Sequence, residues 1–201
     1  YLTVMNENYA HPAMPEGAEA GILKGMYLLR KGGKGKGPRV QLLGSGTILR
    51  EVIAAADLLK QDWGIEADIW SCPSFTLLAR DGEDAARWNL LHPTATPRKS
   101  YVEQCLENTE GPVIASTDYV RAFADQIRPF VPHRYKVLGT DGFGRSDTRE
   151  KLRHFFEVDR KWVTVAALSS LAEEEKLDRA KVGEAIKKYS LDPEKPNPLT
   201  V

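Results

Sequence analysis

The sequence predicts an α/β fold: a three-layer α/β/α sandwich on a mainly parallel sheet with one antiparallel edge strand. Short apolar runs of strand length alternate with longer amphipathic stretches, the pattern of helices laid on a parallel sheet. Residues 40–43, a helix over 48–63 and a strand over 67–72 form one βαβ unit, expected parallel and right-handed. The stretch from Tyr135 to Asp159 is a second strand–loop–helix unit, with glycines at 139, 142 and 144 in its loop. Such loops at the carboxyl ends of strands are where open α/β sheets present their functional groups.

Taken in order, residues 1–15 read as an opening strand and a Pro-punctuated loop. Asn6, Glu7, Asn8, Tyr9 and His11 make a polar cluster there, suited to recognition or to packing on a preceding domain. Pro15 and Glu16 suit the first turn of a helix, since proline lacks an N–H that would be unpaired there and the carboxylate meets the positive dipole end. That helix should reach about Leu23 and stop at Gly25. Residues 26–29 are the next strand. A short glycine loop, 31–37, joins it to strand 40–43, which makes it the antiparallel edge member. The loop is basic (KGGKGKG), but it has no interleaved aromatic residue, so it reads as a solvated, flexible hairpin loop.

Gly44, Ser45, Gly46 and Thr47 separate strand 40–43 from helix 48–63. Free amides at such a turn can meet an anion. Yet Leu49 occupies the third glycine position of a dinucleotide fingerprint, and no P-loop Lys-Ser/Thr follows. Ser45 and Thr47 serve equally well as helix caps. Gly64 ends the helix, and Pro73 ends strand 67–72. Helices are expected over 81–91 and 101–107, then a strand over 113–115. Ser116, Thr117 and Asp118 should cap a helix over 119–127, stopped by Pro129 and Pro132. After Tyr135–Leu138, Asp147 and Glu150 stand at capping-box spacing, and Leu152, Phe155 and Phe156 give the next helix its apolar face. An amphipathic helix over 163–177 and a last one from the Asp178 cap to Tyr189 complete the set. Residues 1–15 are thus expected to be a linker from a preceding domain, 16–190 a single α/β domain, and 191–201 a Pro-rich tail along its surface. The opening at Tyr1 suggests a piece of a longer protein.

Composition sets the bounds. With 201 residues, 42% hydrophobic, the chain can bury one proper core. A formal net charge of +0 gives no electrostatic reason to expect a nucleic acid or membrane partner, and no apolar run reaches spanning length. Cys72 and Cys105 lack companion ligands at metal spacing, which suits reduced thiols in a cytoplasmic protein. His11, His92, His133 and His154 lie in different segments, without an HxxxH or HExxH pair. Asp118, Asp141 and Arg145 are better candidates for chemistry. They lie on strand-end loops, where they can face a partner domain or an anion, or simply cap helices and pair with one another.

The loop Gly139-Thr140-Asp141-Gly142-Phe143-Gly144-Arg145-Ser146, followed by Leu152 and Phe156, resembles the carboxyl-terminal domain of the transketolase-like thiamine diphosphate enzymes. The resemblance narrows with Tyr1-Leu2-Thr3, Met5-Asn6-Glu7-Asn8-Tyr9 and Pro12 to Gly17. It narrows further with Gln41-Leu42-Leu43-Gly44-Ser45-Gly46, Ser74-Phe75-Thr76, Leu78 to Gly82, and Ala115 to Tyr119. Together these blocks, spread over the whole chain, are similar to the homodimeric bacterial pyruvate dehydrogenases. The resemblance implies a three-domain subunit in a homodimer. Such an enzyme decarboxylates pyruvate on thiamine diphosphate held with magnesium and acetylates the lipoyl group of dihydrolipoyl acetyltransferase. It implies that cofactor and catalytic residues belong to other domains, so none maps here and this chain contributes dimer contact and architecture. A small-anion regulatory module is the alternative, as is a sugar-phosphate transketolase, which fits the NENY and SFTxLARDG blocks poorly. The ligand or interface loops expected are Asn6 to Tyr9, Gly44 to Thr47, Asp118 with Tyr119, and Asp141 to Ser146.

Overall fold

The computed structural model describes residues 7–35 and 37–201; the expected opening strand lies outside them. Five strands form one sheet: β1 (Tyr27–Arg30), β2 (Arg39–Gly44), β3 (Glu66–Ser71), β4 (Val113–Ser116) and β5 (Tyr135–Leu138), in the order β1-β3-β2-β4-β5. β3, β2, β4 and β5 run parallel, and β1 closes one edge antiparallel to β3. The edge assignment holds, but the expected pairing with the next strand does not. Both sides of β2 are taken by parallel neighbours, so the glycine loop crosses the start of β3 instead of closing a hairpin. Its amides are caught on the way: Gly32 N donates to Asp68 Oδ1 at 2.7 Å and Gly33 N to Glu66 Oε2 at 2.7 Å.

Side chains alternate across the sheet with the period of two that a pleated strand imposes. Val40 and Leu42 of β2, Ala67 and Ile69 of β3, and Ile114 of β4 face one core. That core is completed by α2 (Leu49–Trp63), α7 (Arg160–Glu173) and α8 (Arg179–Lys188). Leu43, Trp70, Val113, Ala115, Tyr135 and Val137 face the other core. There they meet α3 (Phe75–Leu91), α4 (Tyr101–Leu106) and α5 (Arg121–Asp125). The three layers are those the sequence predicts.

Several helices differ from expectation for identifiable reasons. α1 (Glu19–Lys24) starts later than Pro15-Glu16, because Ala18 N bonds Pro15 O at 3.2 Å and forms a turn first; Gly25, at φ 96°, ends it as expected. α3 begins at Phe75, six residues before the expected start. Ser74 caps it, and Phe75, Leu78, Ala79, Gly82 and Ala85 are buried at helical spacing. Gly82 obscures this in the sequence by lowering helix propensity. Its reason is tertiary: a Cβ there would lie 2.3 Å from the Phe130 ring. α4 closes on a capping box, Ser100 with Glu103, an S-x-x-E signal the sequence carries. α7 is not amphipathic. Val163 to Leu168 and Ser170 to Ala172 are all buried, so the helix is apolar nearly all round, as an interior helix is. Asp159 starts it by accepting from Lys161 N and Trp162 N.

Candidate functional site

The loops after β2, β4 and β5 are tied into one surface by short side chains. Ser45 Oγ donates to Thr117 Oγ1 at 2.8 Å, and Thr47 Oγ1 to Asp118 Oδ2 at 3.1 Å. Neither Ser45 nor Thr47 caps a helix through its side chain, and Ser116 to Asp118 do not cap α5, whose Arg121 N donates instead to Asp141 Oδ1 at 3.3 Å. Cross-loop bonding takes the Ser45, Thr47 and Thr117 hydroxyls and the Asp118 carboxylate instead, while Ser116 Oγ is buried with no partner among the described residues. Thr140 N donates to Tyr119 O at 2.9 Å, Thr140 Oγ1 to Asp118 O at 2.5 Å, and Arg121 pairs with Asp141.

Beside this surface stands α6 (Arg149–Phe155). Its cap is Thr148, which accepts from Lys151 N, and not Asp147, whose carboxylate instead takes Thr148 N at 2.7 Å. The helix puts Arg149 and Arg153 four residues apart, on one face. Between α6 and the loops opens a cleft of about 360 Å³, whose lining includes Thr47, Asp118, Thr140, Arg145, Arg149 and Leu152. Ile48, Phe156 and Val158 add to its apolar part. Arg145 lies over the Phe155 ring, 5.0 Å from its centroid.

Behind the cleft a buried carboxylate organises the arginines. Glu51, 5% exposed, accepts from Arg160 N at 3.0 Å, Arg160 Nε at 2.9 Å and Arg153 Nη1 at 3.4 Å. Burial pushes its carboxyl up, but the Arg160 hydrogen bonds and charge, with Arg153, override that and hold it below the usual carboxylate range. Tyr9 joins the same group. Its hydroxyl accepts from Arg153 Nη2 at 3.2 Å and donates to Glu7 Oε2 at 2.9 Å, and its ring lies under Arg50. Glu7 in turn pairs with Arg149 Nε at 2.8 Å.

The structure therefore brings together Thr47, Asp118, Gly142, Gly144 and Arg145 from the sequence-predicted set, with Glu7 and Tyr9 reaching the α6 arginines. Gly44 ends β2, Ser45 is buried, and Gly46 takes φ 53° at the turn. Asp141 lines a smaller hollow of about 50 Å³ with Arg121. Asn8 and Ser146 are exposed, and Asn6 lies outside the described residues. Sequence reasoning missed Arg149, Arg153, Arg160 and Glu51. The Arg149/Arg153 spacing was visible, but the Glu51 to Arg160 pairing spans 109 residues and is set only by the packing of α2 on α7.

Tyr119, Val120 and Phe123 are exposed apolar side chains on the loop and helix after β4, and Phe143 is exposed after β5. Tyr119 and Phe123 meet edge to face, ring centroids 5.9 Å apart. Among the described residues no three His, Cys, Asp or Glu side chains converge as a metal ion requires.

The family model of the Transketolase-like TK C-terminal domain matches residues 25–159. The pyruvate dehydrogenase E1 component of Cupriavidus necator is 73% identical over 202 residues, which cover 100% of this chain and 23% of that protein. The namesake in Pseudomonas aeruginosa is 63% identical, with 99% and 23% covered, and that in Escherichia coli K12 55%, with 98% and 22% covered. The chain spans under a quarter of the length of these relatives. Among solved structures, transketolase from Campylobacter jejuni aligns at a TM-score of 0.50 and 23% identity, over 74% of this chain and 19% of that one. A Pichia stipitis transketolase in complex with sedoheptulose 7-phosphate aligns at 0.51 and 17%, over 78% and 19%. At such identities the likeness is one of fold.

Proposed function

The chain belongs to the Transketolase-like TK C-terminal domain family, and from that membership we propose that it is the carboxyl-terminal, assembly-building domain of a pyruvate dehydrogenase E1 component. The observation that carries this reading is the 73% identity to such a component along the whole chain. Under it, the complete protein decarboxylates pyruvate on thiamine diphosphate with magnesium, both held by other domains. It then reductively acetylates the lipoyl arm of dihydrolipoyl acetyltransferase, whose disulfide takes up the two electrons, working as a cytoplasmic homodimer. This chain supplies surface rather than chemistry. The exposed Tyr119, Val120 and Phe123 suit that part, since adjoining exposed aromatic side chains are more often covered by a partner than left in water. A sugar-phosphate transketolase is less well supported, because the transketolases here match in fold alone.

The test is turnover by the full-length protein with pyruvate, thiamine diphosphate, magnesium and an artificial electron acceptor. A version lacking these 201 residues is run beside it. Pyruvate-dependent reduction by the first, and loss of both activity and dimer in the second, are expected. Two-carbon transfer between sugar phosphates, with no use of pyruvate, would overturn the reading. A truncated protein that stays dimeric would remove the assembly role.

A further inference from the structure

We propose that the cleft between α6 and the strand-end loops is a binding site for a small molecule with one phosphate-type, dianionic end and an apolar body. The inference goes beyond the assembly role and does not depend on which reaction the complete protein performs. It starts from size: about 360 Å³ falls within the range of small-molecule sites and exceeds what a lone ion fills. The lining is divided in character. Ile48, Leu152, Phe156 and Val158 offer apolar surface, and Arg145, Arg149 and Arg153 bring positive charge to the same space.

The hydroxyls on the lining cannot meet an anion, because both donate elsewhere, Thr47 to the Asp118 carboxylate and Thr140 to the Asp118 carbonyl. The guanidiniums must do so. Among the described residues Arg145 has no carboxylate partner, and its guanidinium lies over the Phe155 ring. Arg149 reaches the same lining; Glu7 is one of its partners, with a side chain 48% exposed, and an exposed pair of that kind contributes little. Arg153 is held by Glu51 and Tyr9 and keeps the cleft wall positive without itself turning outward. Two guanidinium forks on a single group match a phosphate monoester, which carries close to two negative charges and three acceptor oxygens. Asp118 sets the polarity of the ligand. Its carboxylate, also on the lining, repels a second anionic group and so calls for one charged end only.

The experiment is a binding titration on the full-length protein at fixed ionic strength, with phenyl phosphate as the probe. Inorganic phosphate, benzoate and phenol are titrated in parallel. Saturable binding of phenyl phosphate is expected, at least about tenfold tighter than each of the other three. Arg145→Ala, a change on an exposed loop, should weaken it about tenfold or more, and Arg145→Lys by less, because the charge stays and the fork is lost. Leu152→Ala should weaken phenyl phosphate but not inorganic phosphate. Arg179→Ala, which removes an equal charge from the start of α8, should change nothing. Binding unaffected by Arg145→Ala, or affected equally by Arg179→Ala, would overturn the site. Benzoate binding as tightly as phenyl phosphate would overturn the phosphate assignment. Pyruvate turnover is not read, so this result and the assembly reading fail separately.

Discussion

The two ends of the sheet use the same kinds of side chain to opposite effect. At the amino ends of β2 and β3 the side chains of Arg39, Gln41, Glu66 and Asp68 have fixed partners. Asp68 accepts from Arg39 at 2.9 Å, Gln41 at 3.1 Å and Gly32 N at 2.7 Å, and Gln41 in turn accepts from Trp70 Nε1 at 2.9 Å. This network is buried at Gln41, Asp68 and Trp70 and half-buried at Arg39 and Gly32. At the carboxyl ends, beyond the buried Ser45–Thr117 bond, the side-chain bonds run between exposed loop residues, the salt bridges are half open to water, and Arg145 has no carboxylate partner among the described residues. Desolvation explains why the first arrangement must be complete, since an unpaired polar group there would go unsolvated. The second can stay incomplete because water or a ligand finishes it.

Substitutions sharpen this contrast, and the largest effects belong to the amino end. Gly111, just before β4, has φ 84°, and a Cβ there would stand 1.7 Å from Arg39 O. Gly111→Ala should destabilise the chain by about 3 kcal/mol or more, since backbone must move as well as strain. A lower urea midpoint measures it, and an unchanged midpoint would break the idea that this end is rigid. Asp68→Ala strands Arg39 and Gln41 together and should cost about 3 kcal/mol by the same measurement.

Glu51 lies between the two regimes, buried yet bonded to a half-exposed arginine. Glu51→Gln should cost about 2 kcal/mol. Its folded-state carboxyl lies below the unfolded value, so its contribution is complete above the ordinary glutamate range and is lost as the pH falls through the lowered value. The wild type should therefore lose stability more steeply than Glu51→Gln on acidification. Equal slopes would remove the Arg160 partnership from the account. The smallest effects should come from the carboxyl end, where Thr47→Val and Asp141→Asn each cost about 1 kcal/mol or less. A loss of 3 kcal/mol at either position would erase the contrast.

What could be read from the chain follows the range of the interactions. Strand positions, Gly25 and Gly64 as helix ends, and the Asp178 cap depend on neighbours within a few residues, and they stand where the sequence predicts. Ser45, Thr47 and Asp118 were locatable as strand-end residues but not in role. A hydroxyl that caps its own helix and one that bonds across 71 residues look alike in one dimension. β1 shows the same limit, because a glycine loop fixes that the chain reverses but not which strand it then meets. The cleft needed α6 and three loops in place together, and only its arginine spacing was local.

The interior position of α7 bears on how the chain is made. The family match ends at residue 159, yet residues 160–173 pack against α2 and over β4 and β5 on the Ile114 side of the sheet. Until that helix leaves the ribosome, the apolar flank of α2 and the Ile114 side chain of β4 face water. Nascent chains in that condition are the ones chaperones engage and aggregation claims. A stop codon or a cut near residue 159, harmless by the look of the strands it spares, would strip α2 of its neighbour and uncover the β4 end of that face.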